Sequence, residues 1–242
     1  ALAIRAYAYW NLIRFYGDVP FTTVPTAELT TFTSSRTDRD VIYDQCIADL
    51  QKAVELLPWQ GEANAPSTPE RFCKNSAYGI LARVALYAAG YSLRWDLNTY
   101  DASTLHIACR DDAARVKELY QIAADACKAV IEKRQNGLLD NYDQLFRDLG
   151  NQTYNKETML EYGWYGENAT DVRTGYVNGI PTSGNDNSEG GMGKGGSQMM
   201  AYPTLFFDYD KDDQRRDVSV CNYGIVLAAM TGILDKVVYP ND

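Results

Sequence analysis

One segment near the amino terminus has the clearest structural signature, and it runs Arg5-Ala6-Tyr7-Ala8-Tyr9-Trp10-Asn11-Leu12-Ile13-Arg14-Phe15-Tyr16-Gly17-Asp18-Val19-Pro20-Phe21. From residue 2 to residue 16 apolar side chains occur on nearly every face, which is typical of a helix that packs on several sides. Gly17 and Pro20 then end the helical pattern. The sequence therefore predicts a helix over residues 2–16, with Trp10 in the core.

Three more helices follow from apolar periodicity. They are predicted at about 40–57, 75–89 and 112–133, and Pro58 and Gly90 end the second and third. The first and second helices resemble the third and fourth at a spacing of about 78 residues, as Tyr9 and Tyr87 illustrate. Such paired helices are typical of tetratricopeptide hairpins, although any two amphipathic helices share some similarity. We therefore predict a mainly α fold with a tetratricopeptide-like scaffold over residues 1–136.

Composition narrows the range of functions. The chain has 242 residues, and 32 acidic against 23 basic side chains give a net charge of -9. That charge repels nucleic-acid backbones and anionic membrane surfaces, so nucleic acid is not an expected partner. A single His argues mildly against metal-dependent or His-dependent catalysis, and the five Cys are too far apart to form a zinc site or a redox pair. Cys46 and Cys127 fit apolar helix faces, and we expect both in the core.

The pattern of long amphipathic helices ends before residue 137. A short helix is predicted at 142–149 and a strand at 158–165, followed by a polar stretch rich in Gly and Asn over 166–196. A loop of that length is either functional or disordered, and its aromatic and amide residues favour an ordered lining. We therefore predict a loop-rich ligand-binding region over 137–242, truncated at its carboxyl end.

Several motifs occur in an order that resembles the SusD/RagB family of outer-membrane lipoproteins. Beyond the segment at 5–21, the matching pieces are Ala82-Arg83-Val84-Ala85-Leu86-Tyr87, Tyr142-Asp143-Gln144-Leu145-Phe146, Tyr202-Pro203-Thr204-Leu205-Phe206-Phe207-Asp208-Tyr209-Asp210 and Asp213-Gln214-Arg215-Arg216. The resemblance extends over nearly the whole chain.

The resemblance implies a SusD-like, mainly helical fold and a function. Members of the family lie on the extracellular face of the outer membrane, bind glycans or in some branches peptides, and cover a SusC-like TonB-dependent transporter. They have no enzymatic activity and need no cofactor. The chain starts without Met and has no lipidation Cys near residue 1. We therefore expect an internal fragment whose lipid anchor, the implied means of membrane association, lies outside the given sequence.

Glycan binding needs aromatic faces for sugar rings and polar groups for hydroxyls. Residues of both kinds occur in and beside the predicted loop, and the candidate ligand-binding residues are Trp164, Tyr165, Tyr176, Asn178, Asn185 and Asp186. Trp95, in the insertion after the third helix, is a weaker candidate. The structural alternative is that the aromatic residues pack on helices and the polar residues form turns. The tyrosines at positions 7, 9, 43, 87 and 120 are instead assigned to helix packing.

Two other motifs are weaker. Asp208, Asp210 and Asp212 have the spacing that opens a calcium loop, but the glycine and the closing glutamate of that loop are missing. Pairing of Arg215 or Arg216 with a neighbouring carboxylate is the simpler interpretation. The glycines at 190–196 lack the setting of a phosphate-binding loop, so nucleotide binding is not expected.

The sequence therefore predicts a protein that captures a glycan at the cell surface without turning it over and delivers it to a SusC-like transporter. Two alternatives stay open at this stage. A helical glycoside hydrolase needs two suitably placed carboxylates, which no motif singles out. A tetratricopeptide scaffold that binds a peptide in its concave face would be favoured if Trp164 and Tyr165 were buried.

Overall fold

The computed structural model describes residues 1–151, 153–163, 201–202 and 204–220, together with the backbone of strand segments at 182–183, 223–227 and 234–238. The chain divides into two compact units. The first comprises residues 1–138 and 154–161, and the second comprises residues 139–153 and 162–242. The assignment of ligand binding to residues 137–242 stays a prediction.

Four helices build the first unit. They are α1 (Leu2–Tyr16), α2 (Arg39–Leu56), α3 (Lys74–Ala89) and α4 (Ala113–Lys133). Each packs against the next, α1 on α2, α2 on α3 and α3 on α4. The Asp38 and Asp112 side chains cap α2 and α4 by accepting hydrogen bonds from backbone N–H groups of the first turn. The mainly α fold and all four predicted helices are confirmed.

The core lies among these four helices. Its largest fully buried side chains are Trp10, Ile42, Ile47, Leu50, Val84 and Leu119. Buried alanines of α1 and α3, such as Ala6 and Ala85, allow the helix backbones to approach one another closely. Burial of these apolar side chains is the main force that stabilises the unit. Trp10 is 2% exposed, so its predicted place in the core is confirmed.

The two helical cysteines differ from each other. Cys46 is buried on α2 as predicted, and burial raises the pKa of its thiol to about 12. Cys127 is exposed, so its predicted place in the core is wrong. Helix α4 buries a narrow stripe, Leu119, Ala123 and Ala126, because it packs against α3 on one side. The tyrosines also divide, since Tyr43 is buried whereas Tyr120 is 50% exposed.

Two long segments connect the helices within each pair. Residues 17–38 between α1 and α2 are mostly irregular, with a 3₁₀ turn at Thr26–Glu28 and an isolated antiparallel bridge between Val19 and Thr37. Residues 90–112 between α3 and α4 contain β1 (Ser92–Arg94) and β2 (His106–Ala108), which pair antiparallel. His106 is exposed on β2, at the edge of a small sheet.

The second unit contains three short helices, α5 (Tyr142–Gly150), α6 (Thr204–Asp208) and α7 (Gln214–Ser219). Helix α5 confirms the short helix predicted there, and it packs against α7. A three-stranded sheet joins β3 (Thr182–Ser183) parallel to β4 (Tyr223–Leu227), and β4 antiparallel to β5 (Leu234–Val238). No helix in the described part of the chain is long and apolar enough to cross a membrane.

The strand predicted over residues 158–165 is wrong for its described part, residues 158–163, which is irregular with a bend at residues 159–160. Thr158 N–H donates to the Asn155 carbonyl at 3.1 Å, and Glu161 N–H donates to the Pro69 carbonyl at 3.0 Å. The Asn155 side chain also accepts a hydrogen bond from Glu157 N–H. Turn bonds and contacts with other loops thus satisfy backbone groups that a strand would have presented to a neighbouring strand.

Candidate functional site: an aromatic cavity in the first unit

The predicted ligand-binding residues fall into two groups. Six of them lie outside the described residues: Trp164, Tyr165, Tyr176, Asn178, Asn185 and Asp186. Trp95 lies within the first unit, where it lines a cavity of about 420 Å³. This aromatic cavity is therefore the candidate site whose geometry the structure gives.

The aromatic cavity forms where the carboxyl-terminal ends of α1 and α3 meet strand β1. Its lining consists of Ile13, Arg14, Phe15, Tyr16, Gly17, Arg39, Tyr43, Tyr87, Tyr91, Ser92, Leu93, Trp95 and Leu105. Phe15, Tyr16 and Tyr91 are 75%, 70% and 77% exposed, so large aromatic surfaces remain in contact with water. Such surfaces, with a few polar groups among them, are typical of ligand sites.

Trp95 is held in the lining by contacts on two sides. Its indole Nε1 donates a hydrogen bond to Oδ2 of Asp18 at 2.9 Å. Tyr100 contacts its ring edge-on, with a centroid distance of 5.3 Å, and the Arg36 guanidinium lies 5.7 Å from the ring centroid. These contacts fix the orientation of the indole, which a stacking platform requires.

Asp18 and Arg39 form a buried ion pair beneath Trp95. The backbone N–H of Arg39 donates to Oδ1 of Asp18 at 2.9 Å, and the Arg39 Nε donates to the same oxygen at 3.2 Å. Burial alone would raise the pKa of Asp18, but the hydrogen bonds from Arg39 and Trp95 together lower it below its usual range. The carboxylate therefore stays ionised, and its charge offsets that of Arg39.

Gly17 permits this pairing. Its φ of 70° lies in the left-handed region that favours glycine. A Cβ at residue 17 would lie 2.5 Å from Nη2 of Arg39, which is a clash. The glycine that ends α1 thus also makes room for the guanidinium beside the aromatic cavity.

Arg14 differs from most arginines of the unit because it stacks on rings. Its guanidinium lies 4.7 Å from the Trp10 ring centroid, 5.5 Å from that of Tyr87 and 5.7 Å from that of Phe15. Its single hydrogen-bond partner in the described part of the chain is Oδ1 of Asn11, at 3.3 Å. By contrast, Arg5, Arg94 and Arg110 each bind an Asp carboxylate.

The lining favours binding over acid–base catalysis. Among its described residues there is no Asp or Glu, so this cavity lacks the carboxylate pair that glycoside hydrolysis requires. Burial raises the pKa of Tyr43 to about 12, so its hydroxyl stays neutral. A ligand in this cavity can stack on aromatic rings, form hydrogen bonds with neutral groups and be attracted by the arginines of the lining.

The described residues contain no cluster that could hold a metal ion. Near the aspartates considered for calcium, Arg215 pairs with Asp213, with Nη2 to Oδ2 at 2.5 Å, and Arg216 pairs with Asp217 at 2.9 Å. Asp213 also caps α7 by accepting from Arg215 N–H. The predicted pairing of these arginines with neighbouring carboxylates is confirmed.

Trp95 is the one lining residue that sequence reasoning selected, and the members it missed include Arg14, Tyr16 and Tyr91. Tyr87, which was assigned to helix packing, is 46% exposed and also lines the cavity. A usable signal existed, because Tyr16 and Tyr91 stand directly beside Gly17 and Gly90, the glycines that end α1 and α3. Large aromatic residues at two helix ends of related repeats indicate a shared surface. That inference also requires the two ends to lie together, which follows from the packing of the helices.

Comparisons with known proteins agree on one family. A SusD-like family model, described as "Starch-binding associating with outer membrane", matches residues 1–86. "SusD-like protein P25" of Formosa agariphila is 26% identical over 185 residues, which are 76% of this chain and 28% of that protein. A SusD homolog from Bacteroides thetaiotaomicron superimposes over 98% of this chain and 41% of its own, with a TM-score of 0.74 and 22% identity.

The chain is similar to proteins of the SusD/RagB family and has their fold.

A structure described as a laminarin-binding SusD-like protein has the same fold, with a TM-score of 0.60 and 23% identity over 91% of this chain and 44% of its own. The chain thus spans less than half the length of these SusD-like relatives. Within it, the family match at residues 1–86 contains α1, α2 and most of α3. The aromatic cavity is built partly on that matched segment and partly on the insertion that follows α3.

Proposed function

We propose that this SusD-like protein captures a glycan at the cell surface, without turning it over, and delivers it to a SusC-like TonB-dependent transporter of the outer membrane. The observation that supports the proposal is the aromatic cavity at Trp95 on a SusD-like fold. Support also comes from the laminarin binding named for one relative and the starch binding named for the family model.

The chemistry of the cavity suits a sugar. The C–H face of a sugar ring packs against aromatic rings, and exposed Tyr16 and Tyr91 offer such rings with hydroxyl groups at their tips. Ser92 adds a hydroxyl group to the lining. Desolvation of sugar hydroxyls opposes binding, so we expect modest affinity that depends on several such contacts.

The loop residues remain part of the proposal. Trp164 and Tyr165 would supply further stacking surfaces, and the polar group Tyr176, Asn178, Asn185 and Asp186 would bind sugar hydroxyls. We place the glycan-binding region on the extracellular face of the outer membrane, attached through an amino-terminal lipid anchor. No cofactor is required for this function.

A glycan array followed by calorimetry tests the proposal. Tyr91→Ala should weaken binding of the best glycan about tenfold, since one stacking contact is lost, and Trp164→Ala should do the same if the loop contributes. Tyr120→Ala is the matched control, because Tyr120 is an exposed tyrosine on α4 outside the cavity lining. The proposal fails if no glycan binds, and its non-catalytic part fails if the purified protein releases new reducing ends from the bound glycan.

A further inference from the structure

We propose that the aromatic cavity is specific for an anionic sugar, one that carries a carboxylate or a sulfate ester, and that Arg14 binds the anion. This inference rests on the proposed glycan binding and names the class of glycan. It is carried by the unequal distribution of charge around the cavity in a chain whose net charge is -9.

The charge of the lining is positive. Its charged members among the described residues are Arg14 and Arg39. Arg39 is offset by Asp18 at 3.2 Å, and both side chains are nearly inaccessible to water. The charge on Arg14 has no carboxylate within ion-pair distance in the described part of the chain, so it remains available to a ligand.

The position of Arg14 prepares it for an anion. Cation–π contacts with Trp10, Tyr87 and Phe15 restrain the guanidinium, and its N–H donors make one long hydrogen bond, to Asn11. A planar guanidinium matches the two oxygens of a carboxylate or a sulfate in a bidentate arrangement. Restraint by the rings also reduces the side-chain entropy lost when the ligand binds.

Two other groups strengthen the assignment. Arg36 stacks over Trp95 and Tyr100 on the insertion side of the cavity, and the described residues provide it with no carboxylate partner. The Ser92 Oγ is buried in the lining without a hydrogen-bond partner. An unsatisfied buried hydroxyl is costly, so a ligand that hydrogen-bonds to Ser92 gains from satisfying it.

The same surroundings argue for a sugar acid over a simple anion. Exposed rings at Tyr16 and Tyr91 offer a packing surface that inorganic phosphate would not use. A volume of about 420 Å³ lies at the small end of ligand sites, which span roughly 300–1,000 Å³. The cavity therefore suits one or a few sugar rings of a longer chain, with the acidic substituent directed to Arg14.

Calorimetry with oligogalacturonate and with its methyl-esterified form tests the charge preference without any mutation. We expect the free acid to bind about tenfold more tightly, since a charge-assisted hydrogen bond is lost on esterification. The preference should shrink as salt is added, because the anion is attracted by a partly exposed cation. A sulfated galactan oligosaccharide and its desulfated form make the second arm, which distinguishes carboxylate from sulfate as the anion recognised.

Substitutions at Arg14 test the assignment to this residue. Arg14→Gln should abolish the preference for whichever acid form binds, and Arg14→Lys should retain part of it, since the charge stays but the planar fork is lost. Arg71→Gln is the matched control, because Arg71 is an exposed arginine before the amino-terminal end of α3, outside the cavity lining. Melting temperatures of all variants report whether the fold is intact.

The outcomes separate the two proposals. Acid and neutral forms that bind equally well overturn the inference and leave glycan binding standing. A preference that survives Arg14→Gln also overturns it. Failure of every saccharide in both arms and on the glycan array overturns glycan binding as well.

Discussion

The two segments that connect the paired helices are held in place by different contacts. Residues 17–38 are mostly irregular and are fastened by the buried pair of Asp18 and Arg39. Residues 90–112 contain the β1–β2 hairpin and are fastened by arginines that bind carboxylates of α2, such as Arg94, which binds Asp40 at 2.9 Å and 3.0 Å. Both segments are thus attached to the first turns of α2, and together they border the aromatic cavity.

The difference concerns exposure to water. Side chains of Asp18 and Arg39 are 2% and 10% exposed. On α2, Asp40, which binds Arg94, is 14% exposed, and Asp44, which binds Arg110 and Arg115, is 39% exposed. Removing one partner of a buried pair leaves a charge without compensation, while water replaces a lost partner at the surface. Removing Asp18 from the buried pair should therefore destabilise the protein more than removing the exposed Asp44.

The largest effect is expected from Asp18→Ala. Arg39 would remain buried without its partner, and Trp95 Nε1 would lose its acceptor, so the free energy of unfolding should fall by about 3 kcal/mol. Urea denaturation followed by far-ultraviolet circular dichroism measures the loss. Asp18→Asn is the matched control and should cost less, because its amide oxygen still accepts one hydrogen bond.

A smaller loss is expected from Asp44→Ala. Arg110 and Arg115 would lose hydrogen bonds of 2.8–3.2 Å, but solvent reaches this carboxylate, so we expect a cost of about 1 kcal/mol. Hydrogen exchange should show faster opening in residues 90–112 than in residues 17–38. If Asp44→Ala destabilises the protein as much as Asp18→Ala, exposure does not explain the difference between the two segments.

The sequence predicted the helices well because each helix buries a regular stripe, and periodicity reports that directly. Helices α1 to α4 and α5 lie within about one residue of their predicted ends. Cys127 was placed wrongly for a related reason. Periodicity identifies an apolar face, but it does not say how wide a stripe the neighbouring helix covers.

Sequence reasoning identified one residue of the aromatic cavity. Trp95 was selected as an aromatic residue in a polar insertion, but its partner Asp18 lies 77 positions away and no local pattern joins them. Arg14 belongs to the segment that predicts α1, and the pattern of that segment assigns it no role. Its role depends on Tyr87 and Phe15 lying around it, which is a property of the tertiary structure.

Trp95→Phe should separate the contribution of the insertion to stability from that of the Asp18–Arg39 ion pair. The ring is retained in smaller form, while the hydrogen bond from Nε1 to Asp18 is lost, so we expect a cost of about 1 kcal/mol. In a double-mutant cycle with Asp18→Ala, the two losses should be less than additive, because both remove the same bond. Strict additivity would mean that this hydrogen bond does not couple residues 17–38 to the insertion.

The smallest change in stability is expected from lowering the pH. One pH series compares the Asp18–Arg39 pair with the Asp44 contacts. Burial acts to raise the pKa values of Asp18 and Asp44, but hydrogen bonds from Arg39 and Trp95 at one site, and from Arg110 and Arg115 at the other, lower both overall. A carboxyl group whose pKa is lowered by folding stabilises the protein above its unfolded-state pKa, about 4, and this stabilisation is lost as the pH falls through the folded-state pKa.

The losses of unfolding free energy caused by Asp18→Ala and Asp44→Ala, measured by urea denaturation, should therefore both shrink between about pH 6 and about pH 3. A penalty for Asp18→Ala that is constant over this range would mean that the Asp18 carboxylate is not stabilised in its ionised form, and the ion pair would then not be what fastens residues 17–38.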